Sequence, residues 1–176
     1  MEKLYTEEDW LQVKSQLGRS PRGLYQVVKY HPLKKHPMVI KVIPWVAKAP
    51  FPTTYWLTCP ILKKQLSHLE KDRAIKLIEQ EHIAKNPELL QTLRGDHESY
   101  RDDRLQLFSK TVKNWNEIPL AQQQIIKETG IGGIADFDHV KCLHLQYAYH
   151  LASESIGGRT VGRLVDKLFP HIKSYY

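Results

Sequence analysis

Cysteine is scarce in this chain, which has two cysteines in 176 residues. Small secreted domains that depend on disulfides need more than this, so we expect a protein of the reducing cytoplasm. The N-terminal residues MEKLYTEEDW lack the basic and then apolar layout of a secretory signal. The most apolar stretch, residues 38–51, is interrupted by Lys41 and Lys48 and is too short to span a bilayer. We therefore expect no membrane partner.

Acidic residues are too few to balance the basic ones, which leaves a formal net charge of +7. A surface of this sign attracts phosphates, nucleic acid or an acidic protein. The basic residues are scattered along the chain, whereas a nucleic-acid interface usually clusters them beside aromatic stacking residues. An anionic small molecule is the favoured partner, and nucleic acid is a weaker alternative. Nothing in the sequence fixes the oligomeric state.

The apolar share of 41% and the charged share of 26% are those of an ordinary globular protein. We expect a single domain over residues 1–176 of the α+β class, mainly helical, with a small antiparallel β element near the N-terminus. Residues 24–30 and 38–45 are rich in β-branched and aromatic residues and predict two antiparallel strands. The proline-rich segment that follows predicts an extended crossover.

Helices are predicted where a capping residue precedes an apolar stripe. Thr6 caps a short helix that ends at Gly18, and Asn86 caps another that begins at Pro87. Further helices are predicted from Pro60 through Leu69, across Ile75 to Ile83, from Trp115 to Gly130, after Asp136 or Asp138 through Leu151, and over residues 159–170.

Both cysteines lie at predicted helix starts. Pro60 suits the first helical position, which makes Cys59 the N-cap of that helix. An N-cap at Asp136 or Asp138 places Cys142 in or just after the first turn of the next helix. A helix N-terminus lowers the pKa of a thiol, as reactive or metal-binding cysteines require. The alternative is that each cysteine is a small buried apolar residue.

The helix after Pro87 should bury a stripe that includes polar residues. The helical period places His97, Tyr100 and Arg104 on the same face as Leu93 and Leu107. Burying an unpaired arginine is costly, so Arg104 should have an anionic partner. That partner is either a bound ligand, with His97 or Tyr100 handling a proton, or an acidic residue in a structural pair.

Three functional hypotheses follow. The first is an enzyme acting on an anionic small molecule through acyl or phosphoryl chemistry. The second is a metal protein that holds zinc or iron, although neither cysteine belongs to a CxxC pair and Cys142 and His144 point to opposite sides of a regular helix. The third is a non-enzymatic module that binds nucleic acid or protein.

The sequence offers candidate residues for each kind of site. The candidate catalytic residues are Cys142, His144, Cys59, His97 and Tyr100. The candidate anion-binding residues are Arg104, Arg101 and Lys141, and the candidate metal ligands are Cys59, Cys142 and His144.

Several separated motifs resemble the bacterial family catalogued as domain of unknown function 501. They are PFPTTYWLTCP, the SHLE that ends the next helix, HESYRDDR and GGIADFDHVKCLH, over residues 22–162. The resemblance implies a cytoplasmic bacterial protein and supports the location of a site at Cys59, Cys142 and His144, with no activity attached. Many members carry a histidine five residues after the first, where this chain has Tyr149 followed by His150.

Overall fold

The computed structural model describes residues 4–176 and begins with the predicted short helix, α1 (Glu7–Leu17). Thr6 Oγ1 accepts a hydrogen bond from the Asp9 amide, and the Asp9 carboxylate accepts one from the Thr6 amide. This capping box satisfies two amides that lack intrahelical partners. Gly18 ends the helix in the left-handed region at φ 67°.

The β element is a three-stranded antiparallel sheet with a small hairpin beside it. Its strands are β1 (Leu24–Tyr30), β2 (Pro37–Val42), β3 (Trp45–Val46), β4 (Ala49–Pro50) and β5 (Tyr55–Leu57). The sheet order is β1-β2-β5, and β3 pairs with β4. The prediction of β1 is confirmed. The second strand ends at Val42 instead of Trp45, and β5 forms where an extended crossover was predicted, because its backbone pairs with β2.

The remaining chain is mostly helical, which confirms the predicted fold class. Its helices are α2 (Pro60–Lys71), α3 (Ala74–Leu77), which continues as a π-helical turn (Ile78–Ile83), α4 (Pro87–Thr111), α5 (Leu120–Glu128), α6 (Leu143–Ala152) and α7 (Thr160–Leu168). Short 3₁₀ segments cover Trp115–Glu117, Ile131–Gly133, Glu154–Ile156 and Pro170–Tyr175. Within residues 4–176, no helix combines the length and the apolar character that crossing a bilayer requires.

Two helix boundaries differ from the predictions. The helix predicted over residues 115–130 is split because Pro119 separates a 3₁₀ turn from α5. Helix α6 begins at Leu143, well after Asp136 and Asp138. Asp136 accepts a hydrogen bond from the Asp138 amide in a local turn, and Asp138 pairs with Arg94. Both carboxylates are therefore occupied away from the helix start.

Helix α6 lies at the centre of the molecule, between the sheet and helices α2 and α7. Leu143, Tyr147, Ala148 and Leu151 of α6 belong to the main apolar core. Helix α1 covers a second cluster on the sheet, which includes Val13. A third cluster lies between α4 and α5. Since α6 is enclosed on most sides, most of its side chains are buried.

The contact between α7 and α6 gives a stability prediction. A Cβ on Gly162 would lie 2.1 Å from Cγ of His150, whose ring is fixed because it contacts Asp166 and accepts a hydrogen bond from the Arg159 amide. We expect Gly162→Ala to lower the free energy of unfolding by about 1–3 kcal/mol in urea titrations.

Gly95→Ala in α4 is the matched control, because a Cβ there meets no atom within 4 Å. This variant should gain about 0.5–1 kcal/mol through helix propensity. Equal stability of the two variants would contradict the steric argument.

Candidate functional site

The predicted polar stripe of α4 faces the interior. The side chains of His97, Tyr100 and Arg104 are fully buried, and their apolar neighbours Leu93 and Leu107 are buried with them. The helical period therefore predicted this face correctly. The partners of its polar groups are mostly backbone groups of other segments.

Among residues 4–176, the partners of Arg104 are backbone carbonyls and include no carboxylate. Its guanidinium donates hydrogen bonds to the carbonyls of Ile126 (3.0 Å), Pro52 (3.1 Å), Gly130 (3.3 Å) and Thr129. The C-terminal carbonyls of a helix lack intrahelical partners and carry partial negative charge, which makes them suitable acceptors for a cation. Burial lowers the pKa of Arg104 to about 10, so the group stays protonated at neutral pH.

His97 and Tyr100 likewise hold backbone segments. His97 Nδ1 accepts a hydrogen bond from the Ile131 amide at 3.0 Å, and its Nε2 donates to the His139 carbonyl at 3.2 Å. Burial lowers the pKa of His97, which favours this neutral tautomer. The Tyr100 hydroxyl accepts from the amides of Thr54 (2.6 Å) and Tyr55 (3.2 Å). These contacts fix the PFPTTY stretch and the turn at residues 130–133 against α4.

The other predicted anion-binding residues also have protein partners. Lys141 Nζ donates to the Gly132 carbonyl at 2.8 Å, and Arg101 pairs with the adjacent Asp102 at 3.2 Å. Arg101 lines an open, mixed-charge depression that also contains Asp136. Each of these cations therefore has a protein partner, and Arg104 and Lys141 both donate to carbonyls of the turn at residues 130–132.

Cys59 is the N-cap of α2, as predicted. Its side chain is fully buried in the main apolar core with Met38 and Leu62. Among residues 4–176, the group of side chains close enough to share a metal ion does not include Cys59. The location of Cys59 is that of the small buried apolar residue considered as the alternative.

Cys142 and His144 do come together, and Glu70 joins them. Cys142 Sγ lies 3.6 Å from His144 Nδ1, and this nitrogen lies 3.2 Å from Glu70 Oε1. The three donor atoms are all within 4.8 Å of one another. The Leu143 amide donates to Glu70 Oε1 at 2.6 Å, so the same carboxylate also caps α6. We call these three side chains the Glu70 cluster.

The prediction that Cys142 and His144 diverge was wrong because Cys142 is not helical. It is the N-cap of α6, with extended backbone angles of φ −161° and ψ 129°. The opposite-face rule holds only inside a regular helix. The extended residue turns the Cys142 sulfur toward the imidazole two positions later.

The other imidazole nitrogen of His144 fixes the orientation of the ring. Nε2 lies 3.0 Å from the Lys63 carbonyl and 3.1 Å from Ser67 Oγ. Ser67 Oγ itself donates to the Lys63 carbonyl. Since a carbonyl only accepts, Nε2 carries a proton, and Nδ1 faces Cys142 and Glu70.

The thiol of Cys142 has a raised pKa, whereas the sequence predicted a lowered one. Burial and, to a smaller extent, the negative charge of Glu70 raise the pKa to about 11, although amides at the start of α6 act in the opposite direction. Desolvation thus outweighs the helix terminus. Without a bound cation, this thiol is protonated at neutral pH.

The sequence did not predict three residues that hold the site together: Glu70, Ser67 and Glu79. Ser67 and Glu70 open and close the SHLE motif and, three residues apart, share one face of α2. Glu79, in the π-helical turn, accepts a hydrogen bond from the Val140 amide at 2.6 Å. The SHLE motif could have indicated Ser67 and Glu70 as site residues, but no sequence pattern connects Glu79 with the loop that precedes α6.

The contacts of Arg104 give a second stability prediction. Replacing it with methionine leaves four carbonyls without their donor, and each orphaned polar group costs about 1–3 kcal/mol. We expect Arg104→Met to lose at least about 3 kcal/mol of unfolding free energy, with partial recovery in Arg104→Lys. Arg101→Met, three residues earlier on the same helix, should change stability by less than about 0.5 kcal/mol. Similar losses at both positions would refute the bridging role of Arg104.

The raised pKa of Cys142 predicts the pH dependence of its alkylation. In metal-free protein, the rate with iodoacetamide should rise about tenfold per unit between about pH 8 and about pH 10, because only the thiolate reacts. A free cysteine levels off above its ordinary pKa of about 8.5. Peptide mass spectrometry should find Cys59 unmodified in folded protein. A plateau of the Cys142 rate near pH 8 would contradict the effect of burial.

Comparisons with known proteins agree with the resemblance seen in the sequence. No curated protein and no solved structure matches the chain significantly. Residues 19–167 match the family described as "Protein of unknown function (DUF501)". That match covers most of the chain, slightly beyond the predicted residues 22–162, and includes the Glu70 cluster, the buried stripe of α4 and Cys59. The chain therefore belongs to this family of proteins of unknown function.

Proposed function

We propose that this protein binds a zinc ion through Glu70, Cys142 and His144. The spacing of the three donor atoms carries the proposal. Tetrahedral zinc bonds of about 2.3 Å to sulfur and about 2.0 Å to nitrogen or oxygen separate sulfur from nitrogen by about 3.5 Å and nitrogen from oxygen by about 3.3 Å. The corresponding distances in the Glu70 cluster are 3.6 and 3.2 Å.

The imidazole is oriented as in a metal ligand. Its Nε2 proton points to the Lys63 carbonyl, and zinc-bound histidines commonly donate their second nitrogen to such an acceptor. The other nitrogen, Nδ1, then faces the Glu70 carboxylate at 3.2 Å, acceptor against acceptor. This approach is favourable only with a cation between them, which is either a metal ion or a second imidazole proton.

The donor types favour zinc among the biological metals. Thiolate, imidazole and carboxylate together suit Zn²⁺, whereas Mg²⁺ and Ca²⁺ prefer oxygen ligands; iron is the alternative that the sequence left open. Two anionic ligands also balance the charge of a divalent ion. Zinc would displace the proton of Cys142, so binding releases that proton. Both cysteines are free, which agrees with our proposal of a reducing, cytoplasmic location.

The fourth coordination position gives the proposed ion a function beyond structure. Three protein ligands and one open position are typical of catalytic zinc sites, whereas structural sites are closed by four. The side chains of Glu70 and His144 are 26% and 22% exposed, so solvent reaches the cluster. A Lewis acid at this position binds an anionic oxygen or activates a water molecule. We propose an anionic small molecule as the partner that occupies it.

Metal analysis of variants tests the site. Wild-type protein purified without a histidine tag and reconstituted with zinc should retain close to one ion per chain, measured by plasma mass spectrometry. Cys142→Ser and Glu70→Gln should weaken zinc binding at least about tenfold. Glu70→Gln retains an acceptor for the Leu143 amide, which separates loss of the ligand from loss of the helix cap.

Two controls use residues outside the cluster. Cys59→Ala removes the other cysteine, and His68→Ala removes an exposed histidine from the same helix as Glu70. Both should bind zinc like wild type, and Co²⁺ substitution should give a thiolate charge-transfer band that Cys142→Ser abolishes. Zinc content near zero in reconstituted wild type, or loss of zinc only in Cys59→Ala, would refute the assignment.

A further inference from the structure

A groove beside the β3–β4 hairpin is built from residues that the Glu70 cluster does not use. Arg19 and Arg22, from the turn after α1, form one side of it, and Pro50, Phe51 and Trp56 contribute apolar surface. Its volume is about 260 Å³. Ligand pockets usually measure about 300–1,000 Å³. The groove is slightly smaller than this range, so it can enclose part of a small ligand while the rest remains in solvent.

The charge of the groove selects an anion. Neither Arg19 nor Arg22 forms a salt bridge within residues 4–176, and no acidic side chain lines the groove in that part of the chain. The Arg19 guanidinium lies 5.2 Å from the centre of the Trp56 ring, which holds it over an aromatic face. Paired guanidinium groups bind phosphate well because their planar donors match its oxygens.

The apolar surface of the groove selects a planar group. The Phe51 and Trp56 rings lie 5.5 Å apart at an interplanar angle of 46°. Nucleobases have a flat aromatic face that packs well against such side chains.

The two sides of the groove are packed closely together. A Cβ on Gly23 would lie 2.8 Å from Val46, so the arginine turn packs tightly against the hairpin. The hairpin turn holds Ala47 and Lys48 at φ 52° and 61°, which is uncommon for residues other than glycine. A preformed groove loses little conformational entropy on binding.

We propose that this groove binds a nucleotide, with its phosphate on Arg19 and Arg22 and its base against Phe51 and Trp56. The nucleotide is either a free nucleoside monophosphate or the terminal unit of a single strand, because both present the same phosphate and base. This site is independent of the Glu70 cluster.

Calorimetric titration of the full-length protein with AMP at low salt tests the proposal. We expect wild type to bind AMP more tightly than adenosine or inorganic phosphate alone. Arg22→Gln should weaken AMP binding at least about tenfold, as expected for a lost charged contact. Trp56→Leu removes the ring, keeps an apolar side chain and should weaken binding several-fold.

The control is Arg163→Gln, which makes the same change in net charge at an exposed position on α7. It should bind AMP within about twofold of wild type, because general charge attraction is screened and weak. Arg22 is also exposed, so Arg22→Gln should fold normally even if Trp56→Leu does not, and thermal melting checks the folding of both variants.

A 5′-phosphorylated tetra-adenylate distinguishes the two sources of the nucleotide. Equal affinity for AMP and the oligonucleotide identifies a free nucleotide, and much tighter oligonucleotide binding with the same sensitivity to Arg22→Gln identifies a strand end. Absence of binding by both probes would overturn the proposal. So would wild-type affinity in Arg22→Gln, or an equal loss in Arg163→Gln.

Discussion

A single buried guanidinium holds together the segments that surround the centre of this protein. Arg104 of α4 donates to carbonyls at the end of α5, at Gly130 and at Pro52. Removing a charged group from water costs several kcal/mol unless every donor finds an acceptor. The carbonyls meet that requirement without a carboxylate, since several belong to the negative end of a helix. Two segments distant in sequence, residues 126–130 and the stretch at Pro52, are thereby fixed to one side chain of α4.

The rest of the buried stripe extends this arrangement to the loop before α6. His97 binds the Ile131 amide and the His139 carbonyl, and a Cβ on Gly130 would lie 2.4 Å from its ring nitrogen. Glycine at position 130 is thus required by close packing. Glu79 and Glu70 then bind the amides of Val140 and Leu143. With its amides held from α4, the π-helical turn and α2, the loop brings Cys142 and His144 to a defined position beside Glu70.

The same carboxylate gives the Glu70 cluster its chemistry. Glu70 caps α6 through Leu143 and lies 3.2 Å from His144 Nδ1. A negative group in a half-buried setting raises the pKa of the neighbouring thiol and makes the cluster a better site for a cation than for an anion. In the structure, the side chain beside Cys142 and His144 is thus Glu70, whereas Arg104 contacts backbone carbonyls. Within residues 4–176, Arg19 and Arg22 form no salt bridge and line the groove beside the hairpin.

The sequence by itself determined those elements that depend on residues close together along the chain. The caps at Thr6, Cys59 and Asn86 lie where capping chemistry and proline geometry placed them, and the buried face of α4 follows the helical period. The start of α6 was decided only by tertiary structure. Its cap is a carboxylate from α2, more than seventy residues earlier, so no local pattern near Asp136 could reveal it. The roles of Arg104 and Cys59 also depended on the fold, because hydrogen-bond partners and burial are set by segments that meet only after folding.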